Sequence, residues 1–294
     1  MRRALRAYLG RPCPAETDAD AGADLRAQVR RLEIRARRAM EAGLTGQYQS
    51  AFRGLGLEFE EVREYRYGDD VRTIDWNVTA RTGEMHVKRY REERDLTVLL
   101  LVDLSASTLF GSGVMTVHDL IAEVSSLFIL SAARRDRVGA ILFDDALKTV
   151  IPPRLGWRHG LRVVREVLGS QPTGAGTAFA DAVRGAGRLL HRRGIVIAVV
   201  DRSCPLPQRE LLALASRHEV VVVRAADELA RTGVEGSRLP VIDAETGRFG
   251  VVRGRPGEVA DRVPPGIDSV DLVTDTDYLP KVQALLERRE KRVH

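Results

Sequence analysis

One apolar run sets the folding problem for this chain. Residues 96–102 read Leu-Thr-Val-Leu-Leu-Leu-Val and stop at Asp103. A seven-residue run rich in Val and Leu, with no polar alternation, predicts a strand buried on both faces. Such a strand needs helices above and below its sheet. The following sequence supplies them. An amphipathic helix is predicted over 116–134, strands over 137–143 and 147–151, and helices over 157–168 and 177–191. A strand over 195–200 ends at Asp201, and a helix over 207–217 and a strand over 220–224 follow. This alternation predicts an α/β fold with a doubly wound, mostly parallel sheet covered by helices on both faces. Further on, Asp243-Ala244-Glu245-Thr246-Gly247 predicts a hairpin, 270–273 a last strand and 278–292 a closing helix.

Two zones precede this body. Residues 1–48 are rich in Ala and Arg, and Leu25, Val29, Leu32 and Ile34 fall at near-helical spacing. They predict a helical arm, with Asp24 as its cap and Gly43 beyond its end. Residues 49–95 are dense in charge and aromatics and form a β-containing extension. Gly68-Asp69-Asp70 and Arg81-Thr82-Gly83 read as turns, and Met85, Val87 and Arg89 alternate as a strand does. Trp76 reads as an aromatic anchor packing this extension on the sheet, with partner docking as the rival reading. Residues 96–294 make up the α/β domain.

The chemistry concentrates where strands end. In open α/β sheets, ligands sit beyond the carboxyl ends of the strands. The first core strand continues as Asp103-Leu104-Ser105-Ala106-Ser107, so alternate side chains turn one carboxylate and two hydroxyls toward one point. The Gly174-Ala175-Gly176-Thr177 loop brings a third hydroxyl before a helix, and Asp201 brings a second carboxylate. These hard oxygen donors suit Mg2+ or Mn2+. With so few anionic ligands the cation keeps a position that an outside Asp or Glu fills, which is the logic of a metal-ion-dependent adhesion site. Taken singly, Ser and Thr after a strand are common helix caps. The combination is what carries weight. Asp144-Asp145 reads as a turn after a strand, and the six histidines show no metal-ligand spacing.

Composition removes other classes. The longest apolar runs fall far short of the roughly 18–20 residues of a membrane helix. No apolar stretch follows the charged N-terminus, so no secretory signal is expected. Two cysteines, Cys13 and Cys204, in 294 residues make no disulfide scaffold, which fits a reduced, cytoplasmic setting. The formal charge is +5, yet 42 of the 46 basic residues are Arg and acidic residues are interspersed with them. That lopsided ratio reads as codon bias, and no basic stripe points to nucleic acid.

The chain resembles the bacterial family called domain of unknown function 58, whose members have a von Willebrand A-like fold. The matching residues include Gly54-Leu55-Gly56-Leu57-Glu58-Phe59, Arg63-Glu64-Tyr65, Gly68-Asp69-Asp70, Ile74-Asp75-Trp76, Asp103-Leu104-Ser105-Ala106-Ser107 and Asp136-Arg137-Val138-Gly139. The resemblance implies a soluble partner, adaptor or substrate-linked component of a MoxR-type AAA+ ATPase, because such proteins are commonly encoded side by side. Relatives often carry Ser before the second site aspartate; here Val200 precedes Asp201 and Arg202 follows. A cation beside the site either repels a metal or pairs with an acidic partner.

The leading expectation is therefore a non-enzymatic, metal-dependent protein-binding module. One alternative is a structural or assembly protein with a vestigial metal site. Another is a metal-dependent phosphoesterase-like enzyme, disfavoured because Ser105 stands where D-x-D chemistry needs its second carboxylate. The chain also lacks the phosphate-binding G-x-x-x-x-G-K-[ST] loop and the G-x-S-x-G elbow.

Overall fold

The computed structural model describes residues 30, 34, 48, 51–52, 57–92, 96–172, 176–229, 238–242, 249–253 and 262–293. Most of the expected helical arm lies outside these residues, as do the turn residues 243–248 of the expected hairpin.

Strand β1 (Leu57–Glu64) pairs antiparallel with β2 (His86–Glu92), and helix α1 (Trp76–Thr82) lies between them in sequence. Asp75 starts α1 by accepting from the backbone N–H groups of Asn77 and Val78 at 3.0 and 3.3 Å. This fills two of the donors that a helix start leaves open. Gly83 ends it with φ 79°, a left-handed position that glycine adopts without strain. Arg63 clamps the intervening loop by a bidentate pair to Asp69 at 2.7 and 2.8 Å. Trp76 does not pack on the sheet as expected, since 68% of it is exposed. At the first position of a seven-residue helix that buries no residue, it has no apolar stripe to join.

The body is one six-stranded sheet. In chain order its elements are β3 (Thr97–Asp103), α2 (Val117–Ala132), β4 (Arg137–Phe143), β5 (Leu147–Arg154), α3 (Trp157–Gly169), α4 (Phe179–Leu189), β6 (Ile195–Asp201), α5 (Gln208–Ala215) and β7 (Glu219–Ala226). A separate antiparallel pair, β8 (Arg238–Ile242) and β9 (Phe249–Arg253), precedes β10 (Asp268–Val273) and α6 (Leu279–Val293). The sheet order is β10-β7-β6-β3-β4-β5. All neighbours are parallel except β4 and β5. This is the doubly wound, mostly parallel arrangement that the alternation of elements predicts, and it agrees with the von Willebrand A-like fold that the family resemblance implies.

Both faces of the sheet are covered, and β3 divides its side chains between them. Val98, Leu100 and Val102 join the core built with α2, α3 and α6. Leu99 and Leu101 join the core built with α4 and α5. That explains the unbroken apolar run, because period-2 alternation carries no polarity signal when both faces are buried. Tyr48 and Phe52, which lie N-terminal to the strands, are also buried in the first core. The guanidinium of Arg289 sits 4.8 Å over the Phe52 ring and pairs with Glu219 and Asp268.

At the β4–β5 edge the register shifts between Val138 and Ala140. A Cβ on the intervening Gly139 would lie 2.6 Å from the Ile151 carbonyl oxygen and 2.8 Å from the Pro153 nitrogen. Both are backbone atoms, so relief requires moving the strand. Gly139→Val should therefore destabilise the fold by about 2–3 kcal/mol. Urea unfolding checks this, and an unchanged midpoint would contradict it. Among the described residues, no helix is long and apolar enough to cross a membrane.

Candidate metal centre

The sheet order places a switch point between β3 and β6. From β3 the chain moves outward through β4 and β5, then returns to the other side of β3 for β6 and β7. At such a point successive connections leave on opposite faces and open a crevice at the carboxyl ends. Asp103 ends β3 and Asp201 ends β6, so the two aspartates face this crevice's rim on neighbouring strands.

Four of the five expected residues are joined there by hydrogen bonds. Asp103 is fully buried. Its Oδ1 accepts from the Ser105 N–H at 2.9 Å and its Oδ2 from the Asp201 N–H at 3.1 Å. The first bond curls the strand exit so that Ser105 and Ser107 present hydroxyls 3.1 Å apart. The Ser105 carbonyl accepts from Thr108 N at 3.0 Å and Thr108 Oγ1 at 2.7 Å, locking a short 3-10 turn over Ala106–Leu109. Asp201 Oδ1 accepts from both the N–H and the hydroxyl of Ser203, at 2.7 and 2.8 Å.

Thr177 lies on the same rim but, among the described residues, no hydrogen bond joins it to the other four. Its loop is tied to the end of β4, where Ala178 N donates to the Asp144 carbonyl at 2.5 Å. Phe179, the next residue, stacks on Phe143 with centroids 5.5 Å apart and planes 5° from parallel. Gly174 and Ala175 lie outside the described residues.

The charge state of the rim turns on Asp103. Burial pushes the Asp103 carboxyl up to about 6, and the Asp201 charge adds to that, while the bonds from Ser105 and Asp201 pull the other way. A buried carboxylate whose oxygens meet only neutral donors is costly to ionise. A divalent ion among these oxygens would reverse that cost. The donor set of two carboxylates and clustered hydroxyls fits Mg2+ or Mn2+. Among the described residues, no group of three or more His, Cys, Asp or Glu is placed to hold a metal ion.

Two residues of the rim escape the sequence motif. Asp144 is fully buried at the end of β4, the strand on the other side of β3. It behaves partly as the expected turn, since its Oδ1 accepts from Ala146 N at 3.2 Å. Lys148 also approaches its other oxygen at 3.0 Å. Burial works against its charge, yet Lys148 and the hydrogen bonds around it hold its carboxyl below the ordinary carboxylate value. The usable signal was that Phe143-Asp144 repeats the apolar-strand-then-Asp pattern of Val102-Asp103 and Val200-Asp201. Ser203 carries no such signal.

Comparison with known proteins bears on the family. Residues 61–256 match a family model described as protein of unknown function DUF58. An uncharacterised protein of Mycobacterium tuberculosis is 34% identical over 207 residues, which is 69% of this chain and 65% of that protein's length. The chain thus spans less than two thirds of the curated relatives it matches. Among solved structures, the conserved hypothetical protein BatB of Bacteroides thetaiotaomicron is 16% identical, with a TM-score of 0.45 over 67% of this chain and 99% of that one. A von Willebrand factor type A protein from Catenulispora acidiphila is 11% identical, with a TM-score of 0.37 over 70% of this chain and 43% of that one.

Proposed function

The chain belongs to the DUF58 family, and from that premise we propose that it is a non-enzymatic protein-binding module that works through a divalent cation. The observation that supports this most is the hydrogen bond from the Asp201 backbone N–H to the Asp103 carboxylate, beside the paired Ser105 and Ser107 hydroxyls. Asp103, Ser105, Ser107, Thr177 and Asp201 would hold Mg2+ or Mn2+, either directly or through water. The bound cation would supply an electrophilic position for a carboxylate from another protein. Arg202, directly after Asp201, suits an acidic partner approaching that position.

The partner we propose is a MoxR-type AAA+ ATPase, in the cytoplasm, with an acidic side chain of the ATPase or its client completing the cation's shell. A catalytic role fits less well. Ser105 is two residues past Asp103, where a phosphoryl-transfer site of the D-x-D kind needs a second carboxylate for proton transfer. One observation favours the vestigial alternative. Both oxygens of Asp103 and one of Asp201 already accept hydrogen bonds within the chain.

The test is retention of a purified MoxR-type ATPase on the immobilised chain. Retention in magnesium should fall by about tenfold in EDTA if one charge-assisted contact to the cation is lost. Retention unchanged by chelation would favour the vestigial reading.

A further inference from the structure

We propose that the end of the sheet opposite the metal rim is a second binding surface, a row of arginines that grips the phosphate backbone of a nucleic-acid duplex without reading its sequence. This surface uses none of the rim residues.

Parallel strands all start at one end of their sheet, and contacts place those starts side by side. Glu219 N, at the start of β7, donates to the Gly194 carbonyl at 2.9 Å, and Gly194 N donates to the His218 ring at 3.3 Å. Gly194 leads into β6 and presses on β3, since a Cβ on it would lie 2.8 Å from the Thr97 carbonyl oxygen. Arg137 N, at the start of β4, donates to the Leu96 carbonyl at 2.8 Å. Val138 is in register with Arg154, the last residue of the antiparallel β5. The entries to β7, β6 and β4 and the end of β5 therefore form one line.

Exposed arginines follow that line. Arg217 precedes β7, Arg192 and Arg193 precede β6, Arg134 and Arg137 mark the entry to β4, and Arg154 ends β5. Four strand steps of about 4.8 Å make the row roughly 19 Å long. The carboxylates described at this end are already engaged. Asp136 is buried and accepts from Leu96 N at 3.3 Å, Glu219 pairs with Arg193 and Arg289, and Asp268 pairs with Arg289. Arg134, Arg154 and Arg217 have no carboxylate partner among the described residues. The opposite end has the opposite sign, with the buried Asp103, Asp144, Asp201 and Asp227 at the ends of β3, β4, β6 and β7. Helices α2, α4 and α5 finish at the arginine end, and a helix carboxyl end attracts cations with about half a charge. That does not account for Arg137 and Arg154, which lie on strands. No stretch of sequence shows this row, because its members are scattered from Arg134 to Arg217.

The occupant follows from charge complementarity to a line of cations. A duplex carries one negative charge per about 1.7 Å of its axis, so a row of this length meets on the order of ten phosphates. A single strand binds by stacking its bases on exposed aromatic faces, and Trp157, three residues past Arg154, packs against the core. A lipid surface takes up a group of apolar side chains, and Arg154 has one exposed neighbour of that kind, Leu155.

The test is fluorescence anisotropy of a labelled DNA duplex of about 20 base pairs and mixed sequence, titrated with the full chain between about 50 and 200 mM salt. The logarithm of the binding constant should fall against the logarithm of salt with a slope of about −4. Arg154→Glu/Arg217→Glu should bind at least about tenfold more weakly at roughly 100 mM salt, with a slope shallower by about 2. Arg165→Glu/Arg209→Glu makes the same change of charge nearer the rim, late in α3 and early in α5, and should stay within about twofold of wild type. All four side chains are exposed, so the fold should tolerate both variants. No anisotropy change up to about 100 μM protein at low salt, a slope near zero, or an equal loss in both variants would overturn the proposal. Sedimentation with phosphatidylglycerol vesicles, by a protein that leaves the duplex unbound, would assign the row to a lipid surface and overturn it too.

Discussion

Phe143→Ala should lower the stability of the protein by about 3–5 kcal/mol, read as a shifted midpoint in urea. Phe143 is fully buried at the end of β4 and stacks on Phe179. Removing the ring forfeits its own burial and leaves Phe179 facing a void. The backbone around it cannot collapse easily, because the Phe143 carbonyl also accepts from Leu104 N at 2.7 Å and so belongs to the β3–β4 rim. The same stack fixes the first turn of α4 and with it the Thr177 loop. Cation affinity should therefore weaken along with stability. A loss under about 1 kcal/mol would mean that the stack is not what anchors this corner.

The second large effect is a dependence on pH. The Asp103 carboxyl is raised from 3.8 to about 6, chiefly by burial. A group whose value rises on folding takes up protons more readily in the native state. Its contribution is therefore complete below the unfolded value and is lost as pH climbs through the folded one. The window is pH 4 to 6, and the loss approaches roughly 3 kcal/mol at neutral pH without metal. Other groups titrate in that range too, so the clean observable is the stability difference between wild type and Asp103→Asn. That difference should move against wild type by about 2–3 kcal/mol between pH 4 and 7 in EDTA. Saturating manganese should cancel much of the movement, because the cation binds the ionised form. A difference independent of pH would contradict this account of Asp103.

The fold was legible because its strands are extreme. Residues 96–102 and 195–200 carry almost nothing but apolar side chains, and only a sheet covered on both sides buries them all. Boundaries were less legible where local chemistry misleads. Strand β5 runs on through Pro152 and Pro153 to Arg154, past the predicted end at Ile151. An edge strand tolerates prolines because one row of its N–H groups needs no partner. Helix α1 was missed outright. It has seven residues and no buried face, so no 3.6-residue apolar period announces it.

The candidate site divides in the same way. Asp103, Ser105 and Ser107 are close in sequence, and the strand exit fixes their relation. Asp201 could be placed because a strand-end position on a neighbouring strand is set by register. The Thr177 loop is tied to the end of β4 through Ala178, but no hydrogen bond among the described residues joins Thr177 to the other four, and the sequence leaves that loop open. The hydrogen bonds from Ser112 to Asp227 and from Val114 to Asp275 could not be read at all, since they span 115 and 161 residues of chain. Nothing local marks either carboxylate as a partner of the loop before α2.

Manganese titration by calorimetry, at pH 7 and in parallel for wild type, Asp103→Ala and Ser105→Ala, bears most directly on the whole account. Wild type should give a single-site binding heat, Asp103→Ala should bind at least about 100-fold more weakly, and Ser105→Ala should fall between them. Heats that do not differ among the three proteins, or no heat from wild type, would contradict a cation held by these side chains.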